Sequence, residues 1–363
     1  MRNTATFLLM IIPGFIMAQT VTQDSSIKRK AFGLSIQKGA VFIHKPSVAS
    51  AKDAYPRTVA LEFSTHSVDY ASFSICRTYF RRGFSFLFTD YNTPILGYGF
   101  ITSYFLEPAY RIGKRFQFQF RGDAGLGYFT APYDEVKNNT NQSYSTRFTP
   151  YLHVGSGFGV RISNKITAEV NGNFNHISNG HFKQPNAGLN WIMLSASVLY
   201  YPENNLLPKY KYVHTKRTNT KPSFDVGTMF VPRQGYHERW HTRRNYMVGL
   251  FTQISQPVSR INAITLGAEV SYNRFVDGPN APKNNSRPAL TAGIHIGHEF
   301  LMGKIIFSQQ IGKYFTKYPS FVSGIYHRWG LRYQLNKHWF AGFNMKAHKE
   351  AADLIDLRLQ YRF

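Results

Sequence analysis

At the C-terminal end of the chain, apolar and polar positions alternate without a break. Ile355, Leu357, Leu359, Tyr361 and Phe363 share one parity; Asp356, Arg358, Gln360 and Arg362 share the other. A period of two is the mark of a strand with one apolar face. The same pattern, less strictly kept, predicts about sixteen strands. They run over 29–45, 57–66, 72–90, 97–112, 115–129, 145–161, 164–178 and 189–201, then over 222–233, 243–255, 260–274, 288–302, 304–315, 322–335, 338–348 and 353–363.

The connections alternate in length. Gly113-Lys114, Ser163-Asn164, Gly303-Lys304 and Asn336-Lys337 read as tight turns, whereas Thr130 to Tyr144 and Asp277 to Arg287 are long and polar. Barrels of the outer membrane have short periplasmic turns and longer outside loops. With a periplasmic start, every tight turn falls on the periplasmic side and the long loops fall outside. The expected fold is therefore all-β: a transmembrane antiparallel up-and-down β-barrel. The chain also reads as duplicated. Gly159-Val160-Arg161 precedes Asn164-Lys165, and Gly330-Leu331-Arg332 precedes Asn336-Lys337; eleven residues beyond each lysine stands a histidine, His176 and His348. A basic, Pro-containing stretch separates two halves of eight strands each. The expected organisation is residues 1–18 as a leader, 19–203 as the first half, 204–222 as a linker and 223–363 as the second half. One large barrel or two tandem small ones both fit, with the linker favouring two.

Other features fit an exported barrel. Arg2 followed by the apolar run Phe7 to Ile16 and the small residue Ala18 reads as a secretory signal peptide. No later segment offers the ~20 apolar residues of a membrane-spanning helix. Aromatic residues make up 16% of the chain, with 23 Tyr and 31 Phe, enough to furnish girdles at both interfaces. Cys76 is the only cysteine, which excludes an internal disulfide and a thiolate metal cluster. The net charge of +24 would suit nucleic acid. An exported chain meets little of it, so the expected anionic partner is the phosphorylated lipid of lipopolysaccharide, not nucleic acid.

The informative segment runs from Asn175 to Asn190, with sequence NHISNGHFKQPNAGLN. On the strand entering it, Ile166, Ala168, Val170, Gly172 and Phe174 form the lipid-facing parity, and His176 and Ser178 continue it. On the strand leaving it, Ile192, Leu194, Ala196, Val198 and Tyr200 face lipid and Asn190 shares their parity. Polar groups on a lipid face are costly, more so with depth. Three together at the extracellular end suggest either a solvated rim or a site that works on lipid. The chemistry is coherent. A serine hydroxyl needs a neighbouring base, and a third group must orient the imidazole. Asn190 can do so through its carbonyl, without the charge of a carboxylate.

The run H-x-S-N, then K-Q-P-N-x-G, resembles the lipid A 3-O-deacylase family (PagL-like, also labelled acyloxyacyl hydrolases). The second half resembles the C-terminal part of longer, Bacteroidetes-type members through Gly297-His298-Glu299-Phe300 and Tyr361-Arg362-Phe363. The resemblance implies an outer-membrane barrel that removes an ester-linked acyl chain from lipid A, with no cofactor. It implies His176 as base, Ser178 as nucleophile, and Asn179 and Asn186 as substrate- or oxyanion-binding residues. Asn190 stands where the best-known members carry a glutamate, and Gly180-His181 where they carry small residues and a backbone oxyanion donor. The terminal Phe363 resembles the signal read by the outer-membrane insertion machinery. The competing expectation is a non-catalytic barrel, a pore or structural lipid-binding protein that keeps a relic motif. No H-x-S-N follows His348, so the second half is expected to be catalytically silent. His298-Glu299, His338 and His348 lack any metal-site spacing and are expected to be solvated in the lumen. Glu169, Asp123, Arg121 and Arg358 are expected to pair inside the barrel.

Overall fold

A computed structural model describes residues 27–180, 182–210, 221–234, 244–273, 289–316, 324–348 and 351–363. The expected leader, His181 and the loop expected over 277–287 lie outside these. The first eight strands are β1 (Lys28–Phe42), β2 (Arg57–Ser67), β3 (Tyr79–Asp90), β4 (Tyr98–Ile112), β5 (Phe116–Phe129), β6 (Phe148–Arg161), β7 (Ile166–Ile177) and β8 (Leu189–Tyr200). Each pairs antiparallel with its neighbour, and β1 pairs with β8 to close a barrel. The second eight are β9 (Ser223–Gln234), β10 (Arg244–Pro257), β11 (Asn262–Asn273), β12 (Ala289–Met302), β13 (Ile305–Tyr314), β14 (Ile325–Gln334), β15 (Trp339–His348) and β16 (Ala351–Arg362). They close separately, β16 against β9. The choice between one barrel and two falls to two. Closure leaves no strand edge, which lipid demands because it offers no partner to a free N–H or C=O.

The alternation expected of the strands is present. On β8, Ile192, Leu194, Val198 and Tyr200 are exposed on the outer wall, while Trp191, Met193, Ser195 and Ser197 turn inward and are buried. On β16, Asp356, Arg358 and Gln360 are buried in the lumen, and Leu357 and Leu359 lie outside. One predicted element differs. The stretch expected as a strand over 72–90 begins as a short helix, α1 (Tyr70–Cys76), before β3. Asp69 caps it by accepting from Ser72 N at 2.8 Å, and Arg77 ends it in the left-handed region, at φ 58°. The stretch after β8 is held under the same end of the first barrel. The Asn205 amide donates to Ser163 O and Thr167 Oγ1, both at 2.9 Å, and the Tyr210 ring meets Tyr70, Phe73 and Tyr79.

Buried charged and aromatic side chains occupy both lumens among the described residues. In the first, Arg81 pairs with Glu62 at 2.9 Å and Glu107 at 2.7 Å, and Arg121 pairs with Asp123 at 2.8 Å while stacking over Phe105. Above these ions, at the loop end, Tyr91, Phe129, Tyr144, Tyr151, Ile177, Leu189 and Trp191 pack into an apolar plug. In the second, Glu269 holds Lys346 at 2.7 Å and Arg358 at 3.5 Å and is bonded to Arg328. The expected charge pairs thus form, divided between two barrels.

Two histidine placements correct the sequence reading. His298 is not in the lumen. Glu299 is fully buried, so period two turns His298 outward, where its ring packs on Phe300. His338 lies in the turn before β15, stacked on Tyr361 at 5.2 Å. His348 does face the lumen, beside Tyr314 and Tyr326.

Candidate active site

The site is built where β7 and β8 part. Their register sets His176 directly opposite Asn190, and facing residues of an antiparallel pair bring their side chains within reach. His176 Nδ1 lies 2.5 Å from Asn190 Oδ1. An amide oxygen only accepts, so Nδ1 donates and the Nε2 lone pair is left free. Both residues are half-buried on the parity that, lower on the same strands, carries the exposed Phe174 and Ile192. The inward residues between them form a stiff backing. Asn175 accepts from Tyr151 Oη at 2.7 Å, and Trp191 packs edge-on against Tyr91 at 5.4 Å.

Ser178 follows the last residue of β7 and opens the loop to β8. Its Oγ accepts from Asn186 Nδ2 at 2.8 Å and from the Gly180 N–H at 3.2 Å. Among the described residues, no hydrogen bond joins Ser178 Oγ to His176. The two side chains nevertheless border one small space: a Cβ built on Gly188 would stand 3.1 Å from His176 Cε1 and 3.9 Å from Ser178 Cβ. Gly188 sits at φ +79°, so any other residue there would be strained as well as crowded.

Asn186 and Asn179 do different work. The Asn179 backbone N–H donates to Asn186 Oδ1 at 3.1 Å, which turns the Asn186 NH2 toward Ser178. The Asn179 side chain turns away from Ser178. It donates to Lys183 O at 2.8 Å and to Ser145 Oγ at 3.3 Å, bracing the loop. The 130–147 loop holds the assembly from outside, since Ala187 N donates to Gln142 O at 3.0 Å and Gly188 N to Ser143 O at 2.9 Å. Tyr144 anchors that loop by donating to Leu96 O at 2.7 Å. Burial holds its phenol well above the ordinary tyrosine range, so it remains a neutral donor.

Two further groups escaped the sequence reading. One is the Gly180 N–H, which points at Ser178 Oγ although Gly180-His181 departs from the residues that the best-known members carry there. His44, from the β1–β2 connection, contacts the Asn190 amide at 3.2 Å. Only the strand pairing of β8 with β1, which sets Asn190 opposite Phe42, could have signalled it.

Beside the loop lies a groove of about 1200 Å³. Its apolar wall includes Ile95, Phe148 and Phe182 of the first barrel and Pro232, Ile355 and Leu357 of the second. Lys137, Arg147 and Lys183 stand along its rim. The two barrels approach closely here, since a Cβ on Gly180 would meet Ile355 Cδ1 at 3.1 Å.

Solved structures similar to the chain match it at very low identity. The translocator domain of the autotransporter NalP from Neisseria meningitidis is 8% identical, over 94% of this chain and 89% of that one, with a TM-score of 0.23. The β domain of the Bordetella autotransporter BrkA is 8% identical, over 93% and 98%, with a TM-score of 0.25. The Pseudomonas putida toluene transporter TodX is 7% identical, over 94% and 88%, with a TM-score of 0.20. Likenesses this slight say nothing of activity. No curated protein matches the chain closely enough to count as a relative. Family models are decisive instead. One for the lipid A 3-O-deacylase (PagL) matches residues 62–198, and one for the acyloxyacyl hydrolase C-terminal domain matches residues 222–363. With residues 62–198 and 222–363 matched, the chain belongs to the lipid A 3-O-deacylase family of outer-membrane ester hydrolases.

Proposed function

We propose that the chain cleaves an ester-linked acyl chain from lipid A on the outer wall of its first barrel, by a Ser178–His176–Asn190 mechanism. The observation that carries this reading is the convergence at one strand end of an outward imidazole with its Nδ1 tied to Asn190, a serine two residues on, and two donors already aimed at the serine oxygen.

The resting hydrogen bonds suggest the order of events. In the absence of substrate, Ser178 Oγ satisfies Asn186 Nδ2 and the Gly180 N–H. An arriving ester carbonyl oxygen takes over those donors and releases Oγ to turn toward His176 Nε2. The Ser178 hydroxyl proton passes to Nε2 as Oγ bonds the acyl carbon, and the carbonyl becomes an oxyanion held by Asn186 and Gly180. Collapse expels the sugar oxygen, which takes the proton from His176. Water, deprotonated by the same ring, then attacks the acyl-serine, and the ring returns that proton to Ser178 Oγ as the fatty acid is freed. Catalytic hydrogen bonds are often unformed in a free enzyme and close only with substrate, which accounts for the open Ser178–His176 pair.

The groove suits the substrate. A lipid headgroup entering sideways from the outer leaflet brings phosphates, which the rim cations Lys137, Arg147 and Lys183 complement, and acyl chains, which the apolar wall complements. A pore fits less well, because ion pairs and the aromatic plug fill the first lumen. The test is lipid A mass spectrometry on cells carrying the chain or its Ser178→Ala variant. The expected result is loss of one acyl chain with the native protein only; identical acylation in both overturns the proposal.

A further inference from the structure

A weakness of any Ser–His–Asn arrangement lies in the amide itself. A carboxylate presents an acceptor whichever way it turns. An asparagine presents an acceptor on one side and a donor on the other. If the NH2 faces the ring, it pairs with an unprotonated Nδ1 and drives the proton to Nε2, where it disables the base. In a serine protease, replacing the triad aspartate by asparagine produces that wrong tautomer and costs about 10⁴ in kcat. An enzyme that uses Asn190 therefore needs something to fix which way the amide points.

We infer that His44 is that device: a positioning residue that sets the orientation of Asn190 and, through it, the tautomer of His176. For a neutral His44 the chain of hydrogen bonds has one consistent solution. His44 Nε2 lies 3.2 Å from Ala187 O. A carbonyl can only accept, so Nε2 carries the proton and a neutral His44 presents a bare Nδ1. That Nδ1 lies 3.2 Å from Asn190 Nδ2, so it accepts from the amide NH2. The competing contact, Nδ1 to Phe42 O at 3.5 Å, is too long to matter. With its NH2 committed to His44, Asn190 turns Oδ1 to His176, 2.5 Å away. His176 then holds its proton on Nδ1 and keeps Nε2 free for Ser178. Order thus runs from a backbone carbonyl through one imidazole and one amide to the base. The anchor, Ala187 O, belongs to the loop that carries Asn186, so the base and the oxyanion donor share one frame.

This inference rests on the proposed Ser178–His176–Asn190 reading, and two measurements separate their failures. The first is kinetic, on the purified full chain in detergent with lipid A. His44→Ala is expected to lower kcat by between about tenfold and the ~10⁴-fold cost of a wrong tautomer, with KM little changed. His44→Gln, which can accept from Asn190 and donate to Ala187, restores part of the loss. In an Asn190→Glu background, where orientation no longer matters, His44→Ala costs less than about threefold. An equal loss in both backgrounds means that His44 only braces the loop through Ala187, and overturns the inference. The second is ¹⁵N NMR of the histidine-labelled full chain, with His176→Gln to assign the signal. The His176 Nε2 is expected to be unprotonated in the native protein and to gain the proton in His44→Ala. An unchanged His176 tautomer sinks the inference whether or not the chain hydrolyses lipid A. A native chain as inactive as Ser178→Ala sinks the functional proposal and leaves the tautomer result to stand by itself.

Discussion

The two barrels of this chain share a closure of eight antiparallel strands, and the seventh strand of each ends near a histidine. In the first, His176 faces outward opposite Asn190, and residues 178–188 intervene before the next strand begins. In the second, His348 faces inward opposite Ala351, the pairing shifts register between Lys346 and Ala347, and only residues 349–350 separate β15 from β16. At that strand end one barrel thus has an imidazole on its lipid face and eleven residues before the next strand, whereas the other has its imidazole in the lumen and two residues before the next strand. Strand parity and the length of one loop, rather than the barrel, thus set on which side the histidine stands and how much chain follows it. The fold supplies a rigid wall in both cases.

The comparison breaks most readily at the histidines themselves. His176→Ala is expected to reduce deacylation by about 10⁴-fold or more, as loss of a triad base does elsewhere, while His348→Ala leaves the rate unchanged. Fatty-acid release from lipid A by both variants measures this, and comparable losses would erase the distinction between the barrels. The second barrel is expected to show its importance in stability. Glu269 neutralises Lys346 and Arg328, and Glu269→Ala leaves these two buried cations without the carboxylate that pairs with them, while Arg358 keeps Asp356. The expected cost is about 3–5 kcal/mol, read as a lower urea midpoint for the second barrel's unfolding. Within the first barrel, Asn186→Ala removes one of the two donors on Ser178 Oγ. A kcat reduction of about 10²–10³-fold with little change in KM is expected. A KM effect instead would make Asn186 a binding group alone.

The smallest effect sharpens the comparison where the barrels meet. Ile355 and Leu357 belong to the second barrel but line the groove beside the Ser178 loop. Shortening both to alanine removes apolar surface worth about 0.8 kcal/mol per methylene, so KM is expected to rise several-fold at constant kcat. Steady-state kinetics on lipid A species of different acyl length would check it. An unaltered KM would confine the second barrel to support.

Most of the fold was legible because a barrel writes itself in a period of two. The strand ends agree within a few residues, and the lipid-facing parity of β7 and β8 placed His176, Ser178 and Asn190 together. The failures are equally physical. The apolar residues of Tyr70–Cys76 read as strand because a short run has no resolvable period, and Asp69 as a cap was the one signal of a helix. His298 was placed in the lumen although the burial of Glu299 forces it outside. Asn179 and Asn186 share a loop and a residue type, and nothing local separates the brace from the donor at Ser178.

The sequence by itself determined the strands, their faces and the candidate trio, because alternation and the H-x-S-N spacing act between near neighbours along the chain. Tertiary structure alone decided that the sheet closes twice. It also decided that Gly180 N–H and Asn186 Nδ2 converge on Ser178, and that Ile355 stands beside Gly180 from the other barrel. Above all it brought His44 to Asn190 across 146 residues. Such contacts depend on barrel closure and loop packing, which join residues distant in the chain and leave no period for a sequence to show.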